Sequence, residues 1–143
     1  MTQPTTPPPS AHPEVAPPGP DATRLFLIDL CGAGLSALLS GLVLPNYADR
    51  LGVAPSTLHL LAATALGLAA IDAAYLVLRP RHWRAMMLAV AAGNLAYPLL
   101  ALAVSTADET AITPLGAALL GVESLVVVAL GGVQLHTAQR ART

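Results

Sequence analysis

The chain has 143 residues, of which 55% are hydrophobic and only 10% are charged, and its formal net charge is −1. Soluble domains carry about 25% charged residues, so the composition excludes an ordinary soluble domain and is typical of a membrane protein. The charge balance also excludes a nucleic-acid-binding protein, because no basic cluster is large enough to follow a phosphate backbone.

The N-terminal segment, residues 1–22, contains eight of the thirteen prolines. Proline fixes φ and supplies no backbone N–H donor, so a segment this rich in proline forms neither a helix nor a packed core. We predict an extended, disordered tail that serves as a spacer rather than as a ligand for a proline-binding domain.

Four apolar segments follow, and each has the 20 or so residues that a helix needs to cross a bilayer. None shows the period-two alternation of a membrane-spanning strand. Ser56 and Thr57 can cap the second segment, and Thr113 followed by Pro114 suits the start of the fourth. We therefore predict an all-α, integral membrane four-helix up-down bundle over residues 23–138, with a short tail at 139–143. The predicted spans are about 24–44, 56–78, 83–104 and 112–136.

Two carboxylates, Asp29 and Asp72, lie at matching depth in the first two spans. An ionisable group at the bilayer centre costs about 2.5 to 3.5 kcal/mol on insertion scales, so we expect both to face the bundle interior. Asp29 shares one helical face with Gly32, Ser36 and Ser40, because they follow it by three, seven and eleven residues. We interpret that face mainly as a packing surface with one hydrogen-bonded acid.

Two interpretations of this acid pair remain open. The two carboxylates could share a proton or hold a cation. The favoured interpretation is separate contacts, in which Asp29 pairs with an arginine and Asp72 with an arginine or a tyrosine. The candidate partners are Arg24 and Arg81 for Asp29, and Tyr75 and Arg79 for Asp72.

Asn94 in the third span and Glu123 in the fourth are the strongest candidates for a polar site inside the membrane. Glu123 lies about a dozen residues from either end of its span, so it must be protonated, paired or beside a wet cavity. Pro98 has no N–H, so the carbonyl of Asn94 loses its helical partner. We expect Glu123 to contact Asn94, with Tyr97 on the adjacent turn. Such interrupted helices at mid-membrane are where transporters bind ions and solutes.

Arginine predicts the orientation of the bundle. Six of the seven arginines fall at one end, and only Arg50 falls at the other. An excess of basic residues marks cytoplasmic links, so we expect a multi-pass protein of the cell (inner) membrane with both termini in the cytoplasm. The six are Arg24, Arg79, Arg81, Arg84, Arg140 and Arg142.

The sequence lacks the motifs of cofactor and metal chemistry. Cys31 is the single cysteine, so neither a disulfide within the chain nor a cysteine-based metal site can form. Phosphate loops, dinucleotide fingerprints, zinc motifs and nucleophile triads are also absent from the sequence. We therefore expect no cofactor, no metal and no catalytic residues.

The sequence leaves two functions open. The favoured prediction is a non-enzymatic membrane protein, a scaffold, subunit or regulator whose buried polar residues hold the helices together. The alternative is a small proton- or cation-coupled transporter that uses Glu123 and Asn94, with Tyr97, Asp29 and Asp72 in support. The expected partners are the lipid bilayer and either a second copy of the chain or another membrane protein, and not a nucleic acid.

Overall fold

A computed structural model describes residues 19–107 and 111–141, and four long helices dominate this part of the chain. Each of the four is long and apolar enough to cross a membrane, with a mean hydropathy of 1.8 to 2.0 over its most apolar stretch. The predicted all-α four-helix bundle is confirmed. The four long helices are α1 (Pro20–Leu38), α3 (Pro55–Leu78), α4 (Trp83–Ala107) and α5 (Pro114–Arg140), and a short helix, α2 (Ala48–Leu51), lies between α1 and α3 and belongs to the first span.

The start of α1 overlaps the predicted tail. Residues 1–18 lie outside the described residues, whereas residues 20–22 form the first turn of the helix. Pro20 suits this position because the first helical N–H has no partner in any case. Asp21 in the same turn places a negative charge at the positive end of the helix dipole.

The first span does not stop at Pro45 as its sequence predicts. A π-helical turn (Leu39–Val43) and a 3-10 turn (Leu44–Tyr47) carry the chain into α2. Pro45 lacks the N–H that would bond the carbonyl of Gly41, which accounts for the change of helix type. Gly41 also lies close to α3, since a Cβ built on it would be 3.3 Å from the Cβ of Ala62.

The long helices pack as two hairpins. α1 lies along α3, α4 lies along α5, and α3 joins the two hairpins through α4, whereas α1 and α5 make few contacts. One apolar cluster fills each end of the bundle. In the first cluster the rings of Phe26 and Tyr75 stack with centroids 3.8 Å apart, and the second includes Leu58 and Leu120. The polar residues of the spans lie between these two clusters.

The outer face of the bundle is apolar. Many large aliphatic side chains are exposed there, among them Leu42, Val77 and Leu125, with 68%, 79% and 70% of their surface accessible. Exposing so much hydrocarbon to water is unfavourable, whereas exposing it to lipid tails is not. The perimeter is therefore suited to contact acyl chains.

The start of α5 is fastened to the end of α2. The Thr113 N–H donates to the carbonyl of Leu51 at 3.0 Å, and the Thr113 hydroxyl accepts from the N–H of Gly116 at 3.1 Å. The predicted Thr113 cap is confirmed. The predicted cap at Ser56 and Thr57 is wrong, because α3 begins earlier, at Pro55, and has no side-chain cap.

We expect Gly116→Ala to destabilise this junction. A Cβ on Gly116 would overlap the carbonyl oxygen of Leu51 and lie 3.0 Å from its carbon, and such overpacking costs about 1 to 3 kcal/mol. Gly121→Ala is the matched control, because a Cβ there meets nothing within 4 Å and alanine raises helix propensity by up to about 1 kcal/mol. Thermal unfolding in lipid nanodiscs measures the difference. Equal melting temperatures for the two variants would contradict the close approach of α2 and α5.

Candidate functional site

A hydrogen-bond network joins three helices in the bundle interior. Oδ2 of Asp29 accepts from Nδ2 of Asn94 at 2.9 Å and from Nε2 of Gln134 at 2.8 Å. The Asn94 amide also donates to Oε1 of Gln134 at 3.0 Å. The three residues are 0 to 2% exposed. The network therefore ties α1, α4 and α5 together at one depth.

Asp72 lies beside this network on α3 and is 0% exposed. Neither of its carboxyl oxygens has a hydrogen-bond partner among the described residues. Its carboxyl does face that of Asp29 closely enough for the two to interact electrostatically. The structure thus brings the two acids together, as their matching depth predicts, and leaves Asp72 without a donor.

The predicted separate contacts of the two acids are wrong. Arg24 lies 3.9 Å from Asp21 on the exposed face of α1, and Nε of Arg79 donates to the carbonyl of Leu76. The Tyr75 hydroxyl lies 3.4 Å from the Thr23 hydroxyl and not against Asp72. Long arginine side chains at the helix ends can reach water, so they stay there rather than descend to a buried carboxylate.

Glu123 belongs to a second polar group, which lies nearer than the Asp29 network to the end of the bundle that contains α2. Its Oε1 accepts from the Tyr97 hydroxyl at 3.1 Å and from the Ser36 hydroxyl. The expected contact between Glu123 and Asn94 is not formed, because Asn94 turns its amide to Asp29 and Gln134. The partner of Glu123 on α4 is instead Tyr97, one turn further along.

A cavity of about 280 Å³ connects the two polar groups. It lies between α1 and α5, whose backbones approach each other at few points. Its polar wall contains two carboxylates, a carboxamide and hydroxyl groups, and the lining has no arginine or histidine. The rest of the wall is mostly leucine, valine and alanine. The polar lining residues are Asp29, Ser36, Ser40, Asn94, Tyr97 and Glu123.

Sequence reasoning missed Gln134. It follows Glu123 by eleven residues, which is close to three helical turns, so the two share a face of α5. The same spacing identified the polar face of α1 and could have identified Gln134 as well. Gly131 lies between them on this face, where a Cβ would be 3.1 Å from the Cβ of Asn94. The absent side chain lets α5 approach α4 beside the network.

The donor set does not favour a metal. Across residues 19–107 and 111–141, no three histidine, cysteine, aspartate or glutamate side chains are grouped so as to hold a metal ion. The hydrogen-bonded carboxylates, Asp29 and Glu123, instead accept from amide and hydroxyl groups of neighbouring helices.

The fold and the four apolar spans are those of a small multi-pass membrane protein. Comparison with protein-family models, curated proteins and solved structures finds no match to the chain. The geometry of the polar groups and the cavity is therefore the basis for assigning a function.

We expect Gln134→Leu to destabilise the bundle. The change deprives Asp29 of a donor and Asn94 of an acceptor, and an unsatisfied buried polar group costs about 1 to 3 kcal/mol. Gln139→Leu is the matched control, since Gln139 is exposed on the same helix and surface changes stay within about 0.5 kcal/mol. Thermal unfolding in nanodiscs reports the difference. A Gln134 variant as stable as the Gln139 variant would show that the network does not hold the helices.

Proposed function

We propose that this membrane protein is a small proton-coupled transporter that binds an organic cation in the cavity between α1 and α5. The observation that carries the proposal is the cavity itself, because it joins Asn94 and Glu123 inside the bundle. A purely structural set of polar contacts needs no open space beside it, whereas a small-molecule site does.

The charges of the lining favour a cation. Asp29 and Glu123 are both on the cavity wall, and neither has a basic partner among the described residues. Opposite charge stabilises an ionised carboxylate, whereas its absence inside a membrane favours the protonated form. At Glu123, whose partners are hydroxyl groups rather than amides, a cation and a proton therefore compete for one carboxylate, which is the physical basis of exchange between them.

The shape of the cavity favours a largely apolar ligand. Aliphatic side chains make up most of the wall, including Leu39, Leu119 and Val126. Because α1 and α5 make few contacts beside it, a solute could reach the cavity from the bilayer. Apolar pockets with a few convergent polar groups are the usual form of a small-molecule site.

The acids have different roles in this proposal. Glu123 is the carrier acid, since it is half-buried and its partners are two hydroxyl groups that can turn away. Asn94 and Asp29 shape the deeper end, and Tyr97 positions Glu123. The predominance of arginine at the α3–α4 link and the C-terminus supports placing both termini in the cytoplasm.

A structural role is the second candidate, and the three-helix network favours it. Asp29, Asn94 and Gln134 satisfy one another while completely buried. A scaffold or subunit would need that network for its fold and would not need the cavity. The two candidates therefore differ in what Glu123 does.

We expect Glu123→Gln to fold normally and to lose proton-coupled transport. Glutamine can still accept from Tyr97 and Ser36 but can neither bind a proton nor pair with a cation. The assay uses proteoliposomes with an acidic interior and an internal pH dye, to which benzyltrimethylammonium, an apolar body with a permanent charge, is added outside. The wild type should dissipate the pH gradient at least about tenfold faster than the variant, a difference of about 1.4 kcal/mol in barrier.

Asp49→Asn is the matched control, because Asp49 is an exposed carboxylate away from the cavity, and it should behave like the wild type. If wild-type proteoliposomes dissipate the gradient no faster than protein-free ones, the structural role is the better explanation. Equal rates for the wild type and Glu123→Gln would remove Glu123 as the carrier.

A further inference from the structure

Asp72 is a buried acid whose surroundings provide nothing to stabilise a charge. It is 0% exposed, and neither carboxyl oxygen has a hydrogen-bond partner among the described residues. Burying an ionised carboxylate without partners costs so much that such a group binds a proton instead. Asp72 is also absent from the cavity wall, so the transport proposal does not use it.

Asp29 has the opposite surroundings. Two amide N–H groups, from Asn94 and Gln134, donate to its Oδ2. Hydrogen bonds of this kind stabilise the ionised form of a carboxylate. Both amides thus donate to Asp29, and Asp72 is left without a donor among the described residues.

We propose that Asp29 and Asp72 hold a single proton between them, carried by Asp72 and donated in a hydrogen bond to Asp29. The protonated Asp72 carboxyl donates a hydrogen bond that the Asp29 carboxylate can accept. Asp72 thereby gains the partner that it lacks. The pair then carries one negative charge instead of two. Two like charges that face each other in a poorly solvated site cannot both persist.

The elements around the pair offer no competing charge. On α1 the titratable group facing Asp72 is Asp29. α4 and α5 contribute the neutral amides of Asn94 and Gln134, which bond to Asp29. No ion pair within the described residues involves either acid. A proton is therefore the simplest positively charged species that can reduce the negative charge of the acid pair.

The site is distinct from Glu123 and does not require the cavity to bind a solute. Because Asp29 lies on the cavity wall and Asp72 behind it, the shared proton is held at the deep end of the cavity. A bound cation would approach it through Asp29.

Infrared spectroscopy of the protein in nanodiscs tests the proposal, since a protonated carboxyl has a carbonyl stretch separate from that of a carboxylate. Glu123 can also bear a proton, so the comparison is made in a Glu123→Gln background. At neutral pH Glu123→Gln should show this band, and the double variant Glu123→Gln with Asp72→Asn should lose it. A band that is absent from Glu123→Gln, or that persists in the double variant, overturns the proposal. Loss of the Glu123→Gln band on adding sodium chloride at fixed pH also overturns it, because the pair would then hold a metal cation.

The pH dependence of stability provides a second measurement. The folded pair keeps a proton that the unfolded chain releases, so the free energy of unfolding should fall as pH rises. The unfolding equilibrium constant of the wild type should increase by up to about tenfold per pH unit between pH 6 and 8 relative to Asp72→Asn. The asparagine amide can donate to Asp29 as the protonated acid does, so this variant is expected to fold. Parallel pH profiles for the two proteins would contradict the shared proton.

Discussion

The hydrogen bonds that converge on Asp29 organise the interior of this bundle. A carboxylate inside a membrane needs donors, and hydrocarbon supplies none. Asn94 and Gln134 meet that need from two other helices. Because all three side chains must reach one point, they fix the rotation of α1, α4 and α5 about their axes. Apolar packing alone would leave that rotation poorly defined, since one aliphatic face resembles another in lipid.

The same constraint explains why the interior contains a cavity. The two apolar clusters fill the ends of the bundle, while the polar middle requires specific geometry and cannot collapse freely. α1 and α5 contact the rest of the bundle through α3 and α4 but scarcely contact each other. The space between them is bounded by Asp29 at one end and Glu123 at the other. A bundle with all four helices equally packed would have closed it.

Two polar groups with different surroundings thus coexist in one small protein. The amides around Asp29 are completely buried and mutually satisfied, as a structural element should be. Glu123 is half-buried and bonded to hydroxyl groups, which exchange partners at little cost. The two polar groups therefore differ in how firmly their hydrogen bonds are held, although both border the same cavity. Asp72 belongs with the first group, because it faces Asp29 and lacks a donor of its own.

Some of the site was predictable and some was not. Helical periodicity correctly placed Asp29, Ser36 and Ser40 on one face, and the depth of Asp72 placed it opposite Asp29. The partner of Asn94 was not predictable, since Glu123 and Asp29 were both within reach of a rotation of α4. Gln134 was predictable as a member of the polar face of α5, because it follows Glu123 by eleven residues.

The sequence by itself determined the four spans and the inward direction of their acids, because length, hydropathy and the cost of burying charge act within each helix. It also determined the Thr113 cap, which is a local contact. Only the tertiary structure decided which polar groups meet, how the first span continues past Pro45, and where the cavity lies. Those features depend on the rotation and spacing of separate helices, which the packing of all four sets together.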